Sequence, residues 1–259
     1  MTDAPSRAEA NRRTYDDARL AAVYDVDNAA VEDHVFFRRV ADEVAAVTDG
    51  PVARIVDLGC GTGILTVTLA GEGRSVVGID PAEAMLEVAR TRPDGDDVTW
   101  RRGTAELIEP DSADLAVMSG NVAMHLIGDD WHAALRRIGA GLVPGGRLVF
   151  ETRNPARRAW EGWQQDPTER TTPAGRLIES ERTSAPDEDG VVTMHVRTEF
   201  PDSGDVLELD QHLQFRSAEQ VRADLAVAGL RVERISGDWR RTPFDPAEDR
   251  MLVVEAVRG

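Results

Sequence analysis

The sequence contains no lysine, and all 30 of its basic residues are arginine. The absence of lysine excludes Schiff-base chemistry, attachment of pyridoxal phosphate and the lysine-containing type of phosphate-binding loop. Only one cysteine is present, Cys60. An intramolecular disulfide and a metal site built from several cysteines are therefore excluded as well, and we expect no bound metal.

Long apolar runs are also missing. No run approaches the roughly 20 residues of a membrane-spanning helix, and residues 1–20 are polar and of mixed charge. We therefore expect no signal peptide, no membrane partner and a cytoplasmic location. The formal net charge is −17, which repels phosphate backbones, so we expect a small-molecule substrate and no nucleic-acid partner.

Helical periodicity dominates the first fifty residues. Between Val35 and Val47, apolar side chains recur at three- and four-residue steps, which predicts a helix. From residue 51 to 155, five short apolar strands alternate with helices, as in βαβ units. This alternation predicts a doubly wound α/β fold, in which a parallel sheet carries helices on both faces.

The pattern changes after Asn154. Residues 156–216 contain three stretches in which apolar and polar side chains alternate, so we expect a small antiparallel three-stranded insert after strand five. It would act as a substrate cover or as a dimer surface, which leaves a homodimer open. Residues 217–259 begin with a capping box, Ser217 with Gln220, and contain a helix and two final strands that would complete the core of one domain.

The stretch VDLGCGTG, residues 56–63, places three alternating glycines and an acid between a strand and a helix. Glycines let the backbone approach a ligand closely, and the helix start offers free amide groups. A tight turn without a ligand is the alternative. Asp80 ends the second strand, where an acid accepts two ribose hydroxyls in a doubly wound fold; alternatively, Asp80 caps a helix that starts at Pro81.

The glycine spacing distinguishes two kinds of cofactor. Nicotinamide dinucleotides are bound by G-x-G-x-x-G, whereas Gly59, Gly61 and Gly63 form G-x-G-x-G, with Asp57 two residues ahead. That acid would repel a pyrophosphate and attract a ligand that carries an ammonium and a sulfonium. The loop therefore favours S-adenosylmethionine over a dinucleotide.

Four stretches resemble, in order and spacing, the motifs of class I S-adenosylmethionine-dependent methyltransferases: VDLGCGTG (56–63), GID (78–80), GTAELI (103–108) and LVPGGRLVF (142–150). The resemblance implies a Rossmann-like, seven-stranded, mostly parallel sheet whose last strand is antiparallel. Residues 1–50 would form a helical lid and residues 51–155 the cofactor-binding core. It also implies S-adenosyl-L-methionine as the cofactor and S-adenosyl-L-homocysteine as the product.

The resemblance implies roles for the glycine loop. Gly59, Gly61 and Gly63 would line the methionine part of the cofactor, and Cys60 would be a small buried residue beside it. Asp57 would help to hold the cofactor's amino group, directly or through water.

The next two motifs would hold the nucleoside part of the cofactor. Asp80, with Pro81 next to it, would bind the ribose hydroxyls, and Ala105 would contact adenine through its backbone. Many relatives have Asp where this chain has Thr104, so the Thr104 hydroxyl and the neighbouring Glu106 would have to replace that contact with the adenine amino group.

The reactive end of the cofactor would lie against other segments. Ser119 to Asn121, after strand four, would flank it, and Tyr24 lies in the helical segment that closes over the site. Methyl transfer from a sulfonium needs mainly alignment and exclusion of water. His125 is the candidate base for an acceptor that must lose a proton, and a structural histidine at a helix start is the alternative.

Trp160 and Trp163 follow strand five, where family members receive substrate. They would stack on an acceptor or anchor the insert to the core. The function expected from the resemblance is transfer of a methyl group to an O or N atom of a small molecule by in-line displacement. Two alternatives are a non-catalytic S-adenosylmethionine-binding or regulatory protein and a nicotinamide-dependent oxidoreductase, whose motifs are not evident.

Overall fold

The computed structural model describes residues 6–29 and 32–259. It starts with three helices, α1 (Arg7–Tyr15), α2 (Ala18–Asp27) and α3 (Glu32–Ala45). Ser6 caps α1 and Asp17 caps α2 through side-chain oxygens that accept backbone amide hydrogens, as polar residues do at helix starts. These helices occupy the predicted lid segment, of which residues 1–5, 30 and 31 lie outside the described residues.

The α/β core follows in chain order. Its elements are β1 (Ala53–Leu58), α4 (Thr66–Leu69), β2 (Arg74–Asp80), α5 (Glu83–Thr91), β3 (Val98–Arg102), β4 (Ala113–Met118), α6 (Val122–His125), α7 (Asp129–Gly141) and β5 (Leu142–Arg153). After a second sheet, the chain returns to the core with α8 (Ala218–Val227), β10 (Leu230–Ser236) and β11 (Met251–Arg258).

The first sheet has seven strands in the order β10-β11-β5-β4-β1-β2-β3. Strands β1 to β5 are parallel, whereas β11 lies antiparallel between β5 and β10. This arrangement confirms the predicted Rossmann-like sheet with an antiparallel last strand. The carboxyl ends of four parallel strands, β1 to β4, consequently lie at one edge, where ligands bind in open α/β sheets.

The second sheet has four antiparallel strands, β6 (Gln165–Thr172), β7 (Gly175–Thr183), β8 (Val191–Phe200) and β9 (Asp205–Gln214). The prediction of three strands is therefore wrong by one, because β6 was missed. Its sequence, QDPTERTT, is exposed along most of its length and shows no apolar alternation. An edge strand that is exposed on both faces needs no apolar alternation, and it tolerates the proline.

Different helices cover the two faces of the first sheet. On one face α7 and α8 pack through Trp131 and Leu225, and on the other α3 packs through Phe36, Phe37 and Val40. Each such side chain contributes about 1.5–3 kcal/mol when it is fully buried. Among the described residues, no helix is long and apolar enough to cross a membrane.

Candidate functional site

The carboxyl edge of the first sheet carries the residues that the sequence predicts for the cofactor. Each of them follows or ends one of the strands β1, β2, β3 and β4, except Tyr24, which is on α2. The residues at this edge are Asp57, Gly59, Cys60, Gly61, Gly63, Asp80, Pro81, Thr104, Ala105, Glu106, Ser119 and Asn121. Of these, Thr104 and Glu106 are exposed, whereas Cys60 and Ala105 are buried.

Asp80 ties the glycine loop to the start of α5. One carboxylate oxygen accepts the Gly61 amide at 2.9 Å and the other accepts the Ala82 amide at 2.8 Å. The helix begins at Glu83, its N-cap residue is Ala82, and no side chain caps it, so the alternative of a helix that starts at Pro81 with Asp80 as its cap is wrong. Burial raises the pKa of Asp80 to about 6.

The three glycines of the loop differ in what surrounds them, although each has a positive φ. A Cβ built on Gly59 would lie 2.4 Å from Val122, and one on Gly63 would lie 2.5 Å from Trp100. A Cβ on Gly61 would meet nothing within 4 Å. Packing therefore explains Gly59 and Gly63 without a ligand, whereas Gly61 borders open space that packing does not account for.

Two buried acids lie at the same edge. The Asp57 carboxylate accepts a hydrogen bond from the Thr66 hydroxyl at 2.7 Å, and burial raises the pKa of Asp57 to about 7. Glu151, which the sequence reasoning missed, is on β5; it accepts the Asn121 amide at 2.5 Å, and burial raises its pKa to about 8. In the described part of the chain each acid keeps one buried oxygen without a hydrogen-bond partner, as expected where a ligand supplies a donor.

The first helices contact the glycine loop directly. Asp25 on α2 accepts a hydrogen bond from the Thr62 hydroxyl at 2.5 Å and another from Arg92. Arg92 also donates to the Thr62 carbonyl at 2.9 Å. Before α2, Asp16 accepts the Ala84 amide at 3.1 Å. These contacts hold the helices over the loop, as a lid requires.

A cavity of about 370 Å³ lies between α1, α2, the second sheet and the loop after β4. Both tyrosines of the chain, Tyr15 and Tyr24, line it. It reaches the glycine-loop edge at Gly120 and Asn121, and a Cβ built on Gly120 would lie 3.7 Å from the Tyr24 hydroxyl. The cavity and the open space at Gly61 are thus parts of neighbouring sites.

Within the part of the chain that the structure describes, some acidic side chains on the walls of this cavity pair with an arginine, and others do not. Arg170 bonds to both Asp27 and Glu179, so one positive charge is shared by two acids. Glu181 lies next to them, and burial together with Glu179 raises the pKa of Glu181. Arg153 lines the cavity as well. An acceptor with polar groups would find partners on these walls.

His125, at the end of α6, is part of a hydrogen-bonded chain in the cavity. Its Nε2 lies 3.4 Å from the Tyr15 hydroxyl, which accepts a hydrogen bond from Gln211 at 2.5 Å. Because Gln211 donates, the Tyr15 proton is available to Nε2. Burial lowers the pKa of His125 to about 4, so the ring is neutral at pH 7. Tyr15 and Gln211 were missed, since only the fold brings them to His125.

The two tryptophans after β5 have different surroundings. Trp160 is buried, and its ring packs edge-on against Phe215 with centroids 4.6 Å apart, so it anchors the second sheet to the core. Trp163 also packs on Phe215, at 5.8 Å, and it lines the cavity. Within residues 6–29 and 32–259, no three His, Cys, Asp or Glu side chains are grouped to hold a metal ion.

Comparison with protein families gives a match to a model described as "Methyltransferase domain" over residues 55–146. The chain is 38% identical over 104 residues to a ubiquinone biosynthesis O-methyltransferase of Azorhizobium caulinodans, a match that covers 39% of this chain and 40% of that protein. It is 33% identical over 134 residues to a demethylmenaquinone methyltransferase of Tropheryma whipplei, with coverage of 51% and 54%. The chain spans about half the length, or less, of these curated relatives.

Solved structures match over almost the whole chain. The CcbJ methyltransferase from Streptomyces caelestis superposes with a TM-score of 0.70 at 23% identity, covering 95% of this chain and 98% of that one. An S-adenosylmethionine-dependent methyltransferase from Clostridium acetobutylicum gives 0.74 at 14% identity, with coverage of 93% and 98%. At these identities the likeness establishes the fold, including the helices before and the sheet after the core.

Proposed function

We propose that this chain, whose residues 55–146 match a methyltransferase-domain model and whose fold is that of S-adenosylmethionine-dependent methyltransferases, transfers a methyl group from S-adenosylmethionine to an oxygen or nitrogen atom of a small-molecule acceptor. The observation that carries the proposal is that the cavity lined by Tyr15 and His125 reaches the carboxyl edge of the sheet at Gly120 and Asn121. Gly61 borders open space at the same edge, and the Tyr24 hydroxyl lies next to Gly120.

The cofactor would lie along the carboxyl edge of β1 to β4. Asp80 retains lone pairs on both carboxylate oxygens for ribose hydroxyls, since each oxygen accepts a single amide. Asp57 would hold the cofactor's amino group through its unpartnered oxygen. Ala105 would contact adenine, and the Asp25 contacts with Thr62 would keep α2 closed over the bound molecule.

The remaining assignments follow the same edge. Thr104 and Glu106, both exposed, would border the adenine, while Cys60 and Pro81 would pack beside the methionine part and the ribose. Ser119 would flank the reactive end.

Bound S-adenosylmethionine would supply a methyl group that its sulfonium activates for in-line displacement by a lone pair of the acceptor. The protein's residues align and dehydrate this contact. The acceptor's proton would pass to the Tyr15 hydroxyl as Tyr15 passes its own proton to Nε2 of the neutral His125. The two transfers would occur together, because burial raises the pKa of Tyr15 and disfavours a free phenolate. The predicted role of His125 is thereby refined, because Tyr15 stands between it and the acceptor.

The atom that receives the methyl group is not set by the relatives. They include the O-methyltransferase named above and a glycine N-methyltransferase of Mus musculus, 31% identical over 118 residues. The cavity walls support a small polar acceptor, and we propose that the second sheet, residues 156–216 with their four strands, covers it. A homodimer and a cytoplasmic location stay predictions.

A methyl-transfer screen tests the proposed function. The protein is incubated with methyl-labelled S-adenosylmethionine and fractionated bacterial metabolites, and labelled products and S-adenosylhomocysteine are measured. We expect both to form in the same fractions and to be lost in Tyr15→Phe. Tight cofactor binding without any turnover across broad acceptor classes would instead support the non-catalytic binding protein.

A further inference from the structure

Glu151 occupies an unusual place for an acid. It follows the buried apolar residues Leu148, Val149 and Phe150 of β5, and it is itself only 3% exposed. In the pairing of β4 with β5, Met118 lies opposite Phe150, so Glu151 stands beside Ser119, the first residue after β4. Its Oε1 accepts the amide hydrogen of Asn121. Burial of a carboxyl group costs free energy unless partners satisfy it, so this position calls for an explanation.

Strand register places Glu151 on the same face of the sheet as Asp57. Asp57 pairs with Val117, and Val117 pairs with Val149. Glu151 follows Val149 by two residues and therefore points to the same face. Among the described residues, Asp57 Oδ1 and Glu151 Oε2 are both buried without a hydrogen-bond partner. In the described ranges, Asp57 and Glu151 thus each have a carboxylate oxygen without a hydrogen-bond partner, and both lie on the same face of the sheet at the edge where we propose that the cofactor binds.

The charged groups around Glu151 do not neutralise it. Asp33 on α3 acts with burial to raise its pKa, whereas Arg153 on its own strand and the hydrogen bond from Asn121 lower it. Tyr24 on α2 also faces it, and the Glu151 charge raises the pKa of that phenol. With a pKa of about 8, Glu151 is mostly protonated at neutral pH. A cation placed at Oε2 would favour the ionised form.

We propose that Glu151 binds the ammonium group of the cofactor's methionine part from the β5 side, opposite Asp57, and releases its proton to solvent when the cofactor binds. The inference rests on the proposed function and adds a residue that the sequence motifs do not include. It explains why an acid is buried in β5 and why one of its oxygens lacks a partner.

Two ligands that differ in the amino-acid part test this inference. S-adenosylhomocysteine carries the ammonium group, and 5′-methylthioadenosine lacks it. Glu151→Gln retains an oxygen for the Asn121 amide but removes the charge. By titration calorimetry we expect the variant to bind S-adenosylhomocysteine at least about tenfold more weakly and 5′-methylthioadenosine as wild type does. Wild type should release protons on binding S-adenosylhomocysteine near pH 7, measured in two buffers of different ionisation heat, and the variant should release fewer.

Glu208→Gln is the matched control, since Glu208 is an exposed acid that pairs with Arg197 on the second sheet. Equal weakening of both ligands by Glu151→Gln, or unchanged affinity for S-adenosylhomocysteine, overturns the inference. If Glu151→Gln does not fold, proton release is measured in Asp57→Asn, which removes the other acid that titrates near pH 7. Absence of proton release in Asp57→Asn then overturns the inference. Wild type that binds neither ligand contradicts the proposed function itself.

Discussion

The Asp25 carboxylate on the second helix accepts a hydrogen bond from the Thr62 hydroxyl in the glycine loop, 37 residues further along the chain. Arg92 joins the pair by bonding to Asp25 and to the Thr62 carbonyl. Helix α2 and the glycine loop are therefore joined by hydrogen bonds, and we expect cofactor exchange to require that these bonds break.

Asp25→Ala is expected to weaken cofactor binding. The change leaves Arg92 and Thr62 without their shared acceptor, which costs about 1–2 kcal/mol for partly exposed groups, or roughly 5- to 30-fold in affinity for S-adenosylhomocysteine. Titration calorimetry measures the affinity, and hydrogen exchange should show faster exchange in α2. Asp42→Ala, which removes an exposed acid that pairs with Arg74, should change neither. An unaltered affinity in Asp25→Ala would show that the lid is closed by other contacts.

Asp57→Asn should make the cofactor-free protein more stable at alkaline pH. The folded protein holds the Asp57 proton more tightly than the unfolded chain, with a pKa raised from 3.8 to about 7. The stability that this proton provides is present below the unfolded value and is lost as pH rises through about 7. Asparagine can keep the Thr66 bond and does not ionise.

Scanning calorimetry gives the Tm of Asp57→Asn and of the wild type. The difference, variant minus wild type, should increase between about pH 5 and pH 8. Affinity for S-adenosylhomocysteine should fall in the same variant, because the ammonium loses an acidic partner. A Tm difference that is constant with pH would mean that Asp57 is ionised in the free protein over the whole range.

A comparison of Gly61→Ala with Gly63→Ala distinguishes a glycine that borders the proposed ligand from a glycine that packing requires. Both substitutions place alanine at a positive φ, which costs about 1–2 kcal/mol. Gly63→Ala also drives a Cβ against Trp100, so it should destabilise by about 1–3 kcal/mol more. Gly61→Ala meets no atom and should mainly reduce S-adenosylhomocysteine affinity. Denaturant unfolding measures the stability of the two variants, and titration calorimetry measures their affinity for S-adenosylhomocysteine. An unchanged affinity in Gly61→Ala would mean that the cofactor does not bind beside Gly61.

Tyr15→Phe should lower kcat without changing cofactor affinity. The variant loses the hydroxyl that links the cavity to His125 and Gln211, and loss of general-base assistance costs about a hundredfold. Because burial lowers the pKa of His125 to about 4, kcat should show no inflection near the ordinary histidine value of about 6.5. The acceptor found in the metabolite screen serves for both measurements. A kcat inflection at that pH that disappears in His125→Gln would contradict the lowered pKa of His125 and show that its ring titrates like a solvated histidine.

The sequence predicts the parts of this fold that depend on local pattern. Strand and helix alternation indicates the parallel sheet, and acids at strand ends, such as Asp57 and Asp80, mark the edge where a ligand binds. Strand β6 gave no apolar signal because it lies at the sheet edge. Glu151 and Tyr15 were missed for another reason: their partners Asn121 and Gln211 are 30 and 196 residues away, so only tertiary packing brings them together.

Cofactor choice is the most direct test of the whole account. The wild-type protein is titrated separately with S-adenosylmethionine and with NAD in a calorimeter. We expect one binding site per chain for S-adenosylmethionine, with a lower affinity in Asp80→Asn, and no heat of binding for NAD. Binding of NAD without binding of S-adenosylmethionine would contradict this expectation, since the acid before the glycine loop would then face a pyrophosphate.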